Sequence, residues 1–329
     1  MKEAYEKKKL ADLKYSEAEQ LLYKELGIEK LELTREKTFE TTFFEIEKTM
    51  RFDSEYYQLK YDQNIENVRN SKFKNVKLGT LIEGIKYGTS EKVDYSESGI
   101  PFLRVTDINS FNTIDIEDIK RIPEYELPRV KNAIIREREV LISRTGTIGC
   151  AVYIDGGLKN SVFGSYFIKI KVDESKINPL YLSIFLNSQL GRLQTERDTS
   201  GAIQTNITLP IIKSLRIIVP DTEIQDKICD VYMDALQIRN ASRKHLLEIE
   251  KHNQAIISFS LNTPENAERW EIGTAPVAKR IEAAKAICDA GYETRIRIDP
   301  MIPFPESKWE EDYKELIDQI FSKFTPERP

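Results

Sequence analysis

The residues from which enzymes build metal and nucleophilic centres are scarce in this 329-residue chain, which holds only two histidines and three cysteines. Cys150, Cys229 and Cys288 are far apart, form no CxxC pair and have no histidine nearby, so their spacing argues against a structural zinc site. His245 and His252 fall seven residues apart on one predicted helix, about 10.5 Å along its axis, too far to share a metal held by that helix alone. A GxGxxG loop, a P-loop GK(T/S), an (N/D)PPY methyltransferase motif and a nuclease carboxylate cluster are all absent. These absences point to a chain that recognises and leaves chemistry to partners, with no cofactor of its own. No apolar run approaches the ~18 residues of a membrane span, and the opening MKEAYEKKKL has no apolar signal core. The expectation is a cytoplasmic protein with no membrane partner.

What is present is uneven in charge. The whole chain carries 49 Lys/Arg against 54 Asp/Glu, whereas residues 71–220 hold 21 Lys/Arg against 17 Asp/Glu, a net +4 beside −9 elsewhere. A mildly basic segment flanked by acidic ones fits a local nucleic-acid footprint, as well as many surfaces that bind none. The length suffices for two domains.

Thr199–Ile228 is the junction around which the chain is organised. A polar loop (Gly201, Gln204, Thr205, Asn206) leads into an apolar strand, Leu215–Val219, closed by Pro220. A helix then starts with Asp221 or Thr222 as its cap. Behind it, Ile224, Ile228, Val231, Ala235, Ile238, Ser242, His245, Ile249, His252, Ile256 and Phe259 alternate by four and three, the spacing of a coiled-coil seam. Run as one helix, Asp221–Phe259 measures about 58 Å. The polar members Ser242, His245 and His252 read as register-setting positions.

Residues 2–26 read as a first helix, with Ala11, Tyr15, Ala18 and Leu22 in heptad-like register and Gly27 as its stop. Thr41-Thr42-Phe43-Phe44 suggests a strand and Asp53–Tyr57 a short helix. Strand signals follow at Asn75–Leu78, Leu81–Ile85, Phe102–Arg104, Ile134–Ile135, Val140–Ile142, Cys150–Ile154 and Phe167–Val172. Asp155-Gly156-Gly157 between two apolar runs reads as a hairpin turn, and Pro179–Asn187 as an apolar helix. After Phe259 the pattern changes to helix Pro276–Ala290, strand Arg295–Ile298 and helix Trp309–Phe321, a piece of a βα barrel with a single strand.

Three stretches carry a family resemblance. "SEAEQLLYKELGI", the series "IKYGTS…GIPFLRVTDI…VLISRTGTIGCAVY…NPLYLSIFLNS…GAIQTNI" and the Pro220-to-"EIQDKI" helix start occur together and in order. They resemble the specificity (S) subunit of type I restriction-modification systems, at half size with one target-recognition domain. The resemblance implies an α+β fold: a β-rich target-recognition domain flanked by two long helices forming an antiparallel coiled coil, plus a C-terminal α/β fragment. The implied divisions are 1–28 (first conserved helix), 29–220 (recognition domain), 221–259 (second helix) and 260–329 (fragment). Residues 255–329 are similar to part of the radical S-adenosylmethionine barrel of the spore photoproduct lyase family, but lack its CxxxCxxC cluster site.

The implied function is to bind one half of a bipartite double-stranded DNA target and to dock methyltransferase (M) subunits, and possibly a restriction (R) subunit, without catalysing anything itself. One recognition domain beside a full set of helices implies a homodimer or pairing with another S-type chain. Two other readings stand beside it: a radical-SAM relative acting on DNA photoproducts, disfavoured by the missing cysteines, and a gene fusion without function.

Sequence is read where side chains at strand ends reach base edges, while Lys, Ser and Thr hold the backbone. Lys86, Tyr87, Thr89 and Ser90 combine a cation, a stacking ring and hydroxyls around Gly88, and the same residues also suit an ordinary glycine turn. Arg104, with Thr106 and Asp107, offers a fork for guanine, or an internal Arg–Asp pair. Arg144, Thr145 and Thr147 form a polar turn suited to phosphate. Gln204, Thr205 and Asn206 can pair with adenine, and in the S-subunit family this loop also buttresses the domain against the helix.

Overall fold

The computed structural model describes residues 2–28, 38–116, 119–199, 206–248, 256–271, 273–298 and 308–324. It divides into two compact units, Lys7–Arg239 and, separately, Asn240–Pro329 with Met1–Glu6. No helix is long and apolar enough to cross a membrane, among the described residues.

The larger unit opens within α1 (Lys2–Leu26), whose heptad positions Ala11, Ala18 and Leu22 are buried. Next comes α2 (Phe43–Thr49), where a strand was expected. Its reason is local. The Thr42 side chain accepts from the Glu45 amide, and the Glu45 carboxylate accepts from the Thr42 amide, a capping box that outweighs the β preference of Thr-Thr-Phe-Phe. Asp53–Tyr57 forms a 3-10 turn over Ser54–Tyr57, and α3 (Leu59–Arg69) follows.

The β-rich part begins with β1 (Asn75–Lys77), β2 (Ile82–Tyr87), β3 (Ile100–Leu103) and β4 (Arg121–Ile122). It continues through α4 (Leu127–Val130), β5 (Val140–Ser143), β6 (Ala151–Tyr153), β7 (Val162–Phe163) and β8 (Phe167–Val172). Then come α5 (Pro179–Asn187), α6 (Gln189–Thr199), α7 (Leu209–Ser214) and β9 (Arg216–Ile218). Strands β2, β8, β5 and β6 form an antiparallel sheet in that order, and β4, β3 and β7 a second, mixed sheet.

Alternation sends the two faces of β5 into different cores. Val140 and Ile142 pack with α1 and α5, while Leu141 packs with Phe102, Leu103, Val162 and Phe163 of the second sheet. Both faces of β5 are therefore covered, and all four of its residues are buried. The Asp155-Gly156-Gly157 turn is not a hairpin: β6 pairs with β5 and β7 with β3, so the turn carries the chain between sheets, its amides accepted by the Asp155 carboxylate. Ile134–Ile135 makes no extended strand either: Ile134 faces Val162 through a single bridge, and Ile135 donates to the Ser161 carbonyl (2.9 Å) and accepts from the Asn160 amide (3.0 Å).

β1 and β9 pair antiparallel, Val76 opposite Ile217, so the β-rich part begins and ends side by side. The chain then enters α8 (Thr222–Glu248) with the Asp221 carbonyl accepting from the Ile224 and Gln225 amides. Buried Gln225 fixes this corner, donating to the Pro220 carbonyl and accepting from the Asn178 amide. Lys227 reaches Glu25 (2.8 Å) and the Tyr232 ring lies 5.5 Å from Tyr15, so α8 descends as α1 ascends and the two helices are antiparallel. Ile228, Ala235 and Ser242 form a buried line at heptad spacing. Ile228, Cys229 and Tyr232 join Ala18, Leu22, Tyr181 and Phe185 in one core, so the helices are packed on the sheets as well as on each other.

The smaller unit corrects two expectations. The helix does not run on to Phe259: β10 (Ile256–Leu261) is a strand, because ISFSL alternates apolar and small polar residues and is β-branched at its start. α8 therefore spans 27 residues, about 40 Å. The side chain of His245, and all of Ile249 and His252, lie outside the described residues. After β10 come α9 (Pro264–Trp270), α10 (Val277–Asp289), β11 (Glu293–Ile298) and α11 (Trp309–Lys323). β10 pairs parallel to β11, Phe259 opposite Ile296, giving two barrel-type strands rather than one. Their core of Leu261, Ile281, Ala284, Tyr313, Leu316 and Ile320 is closed by a buried cluster in which Tyr313 donates to Asn262 (2.5 Å) and Asn266 donates to Tyr313 (3.0 Å).

Candidate nucleic-acid interface

Three of the four stretches singled out in the sequence lie at strand ends of the larger unit, and the structure brings them together. Lys86 and Tyr87 end β2, at the edge of the four-stranded sheet, with Lys86 exposed and opposite Lys169. The chain then turns across the β7–β8 connection. The Thr89 amide donates to the Phe163 carbonyl (3.0 Å) and the Ser165 amide to the Thr89 carbonyl (2.7 Å). This crossing requires Gly88, where a Cβ would land on the Gly164 carbonyl oxygen, well inside van der Waals contact.

Arg144 follows β5 and lays its guanidinium over the Tyr87 ring, 4.8 Å from the centroid. Its Nη1 reaches the Ser165 carbonyl at 3.5 Å, while Nε is buried with no acceptor. Two sequence-predicted stretches thus form one unit, a half-buried arginine stacked on a partly exposed tyrosine whose hydroxyl accepts from the Leu209 amide (3.3 Å). The fourth stretch reaches the same place by its backbone, since the Ile207 amide donates to the Arg144 carbonyl (3.1 Å). Asn206 is half-buried there; Gln204 and Thr205 lie outside the described residues.

Arg104 is otherwise engaged. Its Nη2 donates to Asp107 at 2.5 Å and Nε to the second carboxylate oxygen at 3.3 Å, and that oxygen also accepts from the Arg104 amide (2.8 Å). The hydrogen bonds to Asp107 push the Arg104 pKa further up. The internal pair weighed in the sequence is therefore formed, and Arg104 presents a neutralised fork. Thr89, Ser90, Arg104, Thr106 and Thr145 nevertheless line a single open cleft of about 790 Å³, floored by Phe102 and Leu103. Thr147 stands outside it, exposed, its carbonyl accepting from Ser143.

Sequence reasoning missed the rings on this rim. Tyr95 and Tyr166 line the cleft and are 52% and 60% exposed, far more than a packed tyrosine. Tyr166 carried a signal, standing directly after Gly164-Ser165 at a strand start, whereas Tyr95 lies in a polar run without periodicity. Among the described residues no group of His, Cys, Asp and Glu is disposed to hold a metal ion.

A β-rich module that gathers a stacked arginine, an edge lysine, hydroxyls and exposed tyrosines at one set of strand ends, on an antiparallel helical frame, has the make-up of a nucleic-acid recognition module. The family model for the type I restriction modification DNA specificity domain matches residues 70–251, more than half of the chain, and the chain belongs to that family. The spore photoproduct lyase model matches residues 236–328. The HindI specificity subunit of Haemophilus influenzae is 25% identical over 166 residues, 49% of this chain and 34% of that protein.

The spore photoproduct lyases of Clostridium acetobutylicum and Bacillus subtilis are 32% and 33% identical over 83 and 76 residues, 25% and 23% of this chain. The chain thus spans 24% and 22% of the lyases' length and about a third of the specificity subunit's. Among solved structures, the HsdS subunit from Thermoanaerobacter tengcongensis is similar at TM-score 0.38 and 17% identity, over 59% of this chain and 46% of that one. The type I S subunit from M. genitalium is similar at TM-score 0.39 and 12% identity, over 74% and 55%. The lyase-like stretch, residues 236–328, contains a single cysteine, Cys288, so its donor set does not fit a three-cysteine cluster.

Proposed function

We propose that this chain is the DNA-recognition subunit of a type I restriction-modification system, binding one half of a bipartite target and docking methyltransferase subunits through its helical frame. The observation that carries the reading is the stacking of Arg144 on Tyr87 beside a cleft lined by Thr89, Ser90 and Thr145, in a chain of the DNA specificity family. Arg144 is the reader of choice over Arg104, because stacking on Tyr87 orients its fork without neutralising its charge, whereas Arg104 must first leave Asp107. Lys86 serves as a backbone contact. In this reading the other half-site is bound by a second module, from another copy or from another S-type chain.

Replacing Arg144 by alanine is expected to weaken binding to a cognate duplex by about 1–3 kcal/mol and to relax the base preference at one position. Lys86→Ala is expected to weaken binding evenly across sequences and to lower the salt dependence. Titrating both variants against cognate and scrambled duplexes over a range of salt separates the two roles. Wild-type affinity in both would place the reading surface elsewhere.

A further inference from the structure

The loop Ile108–Asp115 follows the Val105–Asp107 turn and makes contacts outside its own sheet. It is shaped before it meets anything: the Asn109 side chain accepts from the Phe111 and Thr113 amides (3.0 and 3.2 Å) and donates to Thr113 Oγ1 (2.8 Å), and Asn112 takes a left-handed φ of 54°. So shaped, the loop is held by both helices at once. Phe111, 5% exposed, packs edge-on against Tyr15 of α1, with centroids 5.0 Å apart. From α8, Tyr232 donates to the Phe111 carbonyl (2.8 Å), and Arg239 lies over the Phe111 ring while binding Asp115 through both nitrogens at 2.8 and 2.6 Å. Asn112 spans frame and module: its Nδ2 donates to Tyr15 Oη of α1 (2.7 Å), and its Oδ1 accepts from Cys150 Sγ (2.9 Å) and Arg192 Nη2 (3.2 Å) of the recognition module. Arg192 in turn donates to the Ile148 carbonyl (3.0 Å), within the turn that carries Arg144.

We propose that the Ile108–Asp115 loop is a joint that fixes the recognition module at one angle to the helical frame, and that Asn112, Asp115 and Arg239 thereby determine the permitted spacing between the two half-sites. The inference rests on the half-site reading above. A module held less firmly at this corner, even with the core shared by Leu22, Ile170, Tyr181 and Ile228 intact, would accept several spacings, because the advantage of two linked contacts depends on both being met at once. The paired α1–α8 helices set how far apart two modules stand; the joint sets whether each module holds its angle when it gets there. Asn112, Asp115 and Arg239 are positioning residues and do not line the cleft.

The test uses the full chain with its methyltransferase partner and fluorescent duplexes carrying both half-sites, the spacer lengthened or shortened by one or two base pairs, beside a duplex with one half-site. Wild type is expected to prefer one spacer over its neighbours by about a hundredfold. Asp115→Asn, which loses the charge facing Arg239, and Asn112→Gly, which keeps the left-handed backbone but loses the side chain, are expected to lower that preference to about tenfold while binding the single half-site as wild type does. Asp115→Glu is expected to recover part of it. Unchanged spacer preference in soluble Asp115→Asn protein would overturn the joint while leaving half-site recognition standing, even if Asn112→Gly fails to fold. An equal loss on every duplex, the single half-site included, would show a merely structural role and overturn it too. Wild-type protein that discriminates no half-site would remove the functional reading itself.

Discussion

Gly88→Ala is expected to abolish high-affinity DNA binding and to destabilise the larger unit by about 3 kcal/mol. The added methyl would fall on the Gly164 carbonyl, a backbone atom held by its own strand connection and unable to yield as a side-chain end would. To relieve the clash, the Thr89–Phe163 and Ser165–Thr89 hydrogen bonds must part, and with them go Thr89 and Ser90 from the cleft and the Ser165 carbonyl from Arg144. At this unit's size the loss corresponds to roughly 6–12 °C in Tm. Gly84→Ala is the matched control, because a Cβ there meets only Lys171 Cβ at 3.8 Å, an ordinary contact. A thermal melt and a duplex titration on both variants check the claim. Near-wild-type behaviour of Gly88→Ala would mean that the crossing of β2 over the β7–β8 turn is looser than described.

Ile228→Asp is expected to cost about 4 kcal/mol or more and to unfold sheet and helices together. In a two-helix seam alone, a charge at this position would part the helices and spare the β-rich module. Here Ile228 is fully buried in the core that also holds Leu22, Ile170, Tyr181 and Phe185, so the charge has no route to water and the sheet loses its cover. Hydrogen exchange at the β5 and β8 amides distinguishes the cases. Retained protection there, with α8 frayed, would contradict the shared core.

That sharing was not legible in the heptad pattern, which reports which helix face is buried but not against what. The seam spacing found Ile228, Ala235 and Ser242 correctly, yet carried the helix on to Phe259, because alternating ISFSL also satisfies a loose four-three count over a short span. Two segments were plain: Phe167–Val172 and Pro179–Asn187 were read to the residue, since FIKIKV alternates apolar residues with lysine and a Pro-started apolar nonamer admits few alternatives. Strands of two residues, β4 and β7, have no periodicity to read, and α6, whose QLGRLQTERDT mixes charge with glycine, lies in a stretch for which the sequence suggested no element. The candidate site divided similarly. Turn chemistry marked the stretches around Gly88 and Gly146, but the stacking of Arg144 on Tyr87 joins residues 57 positions apart, and the Arg104–Asp107 pair was one of two equal readings until geometry decided it.

The central claim is that this chain chooses DNA sequence through its strand-end rim, and genome-wide mapping of methylated bases tests it most directly. Cells carrying the chain with its methyltransferase partner are compared with cells carrying the Arg144→Ala chain and with cells carrying none. The expected result is one bipartite motif with a fixed spacer, an inverted repeat if two copies of this chain supply the two modules, present with the wild-type chain and lost or relaxed at one base with Arg144→Ala. A methylation pattern that is the same with and without the chain, or unaltered by Arg144→Ala, would contradict it.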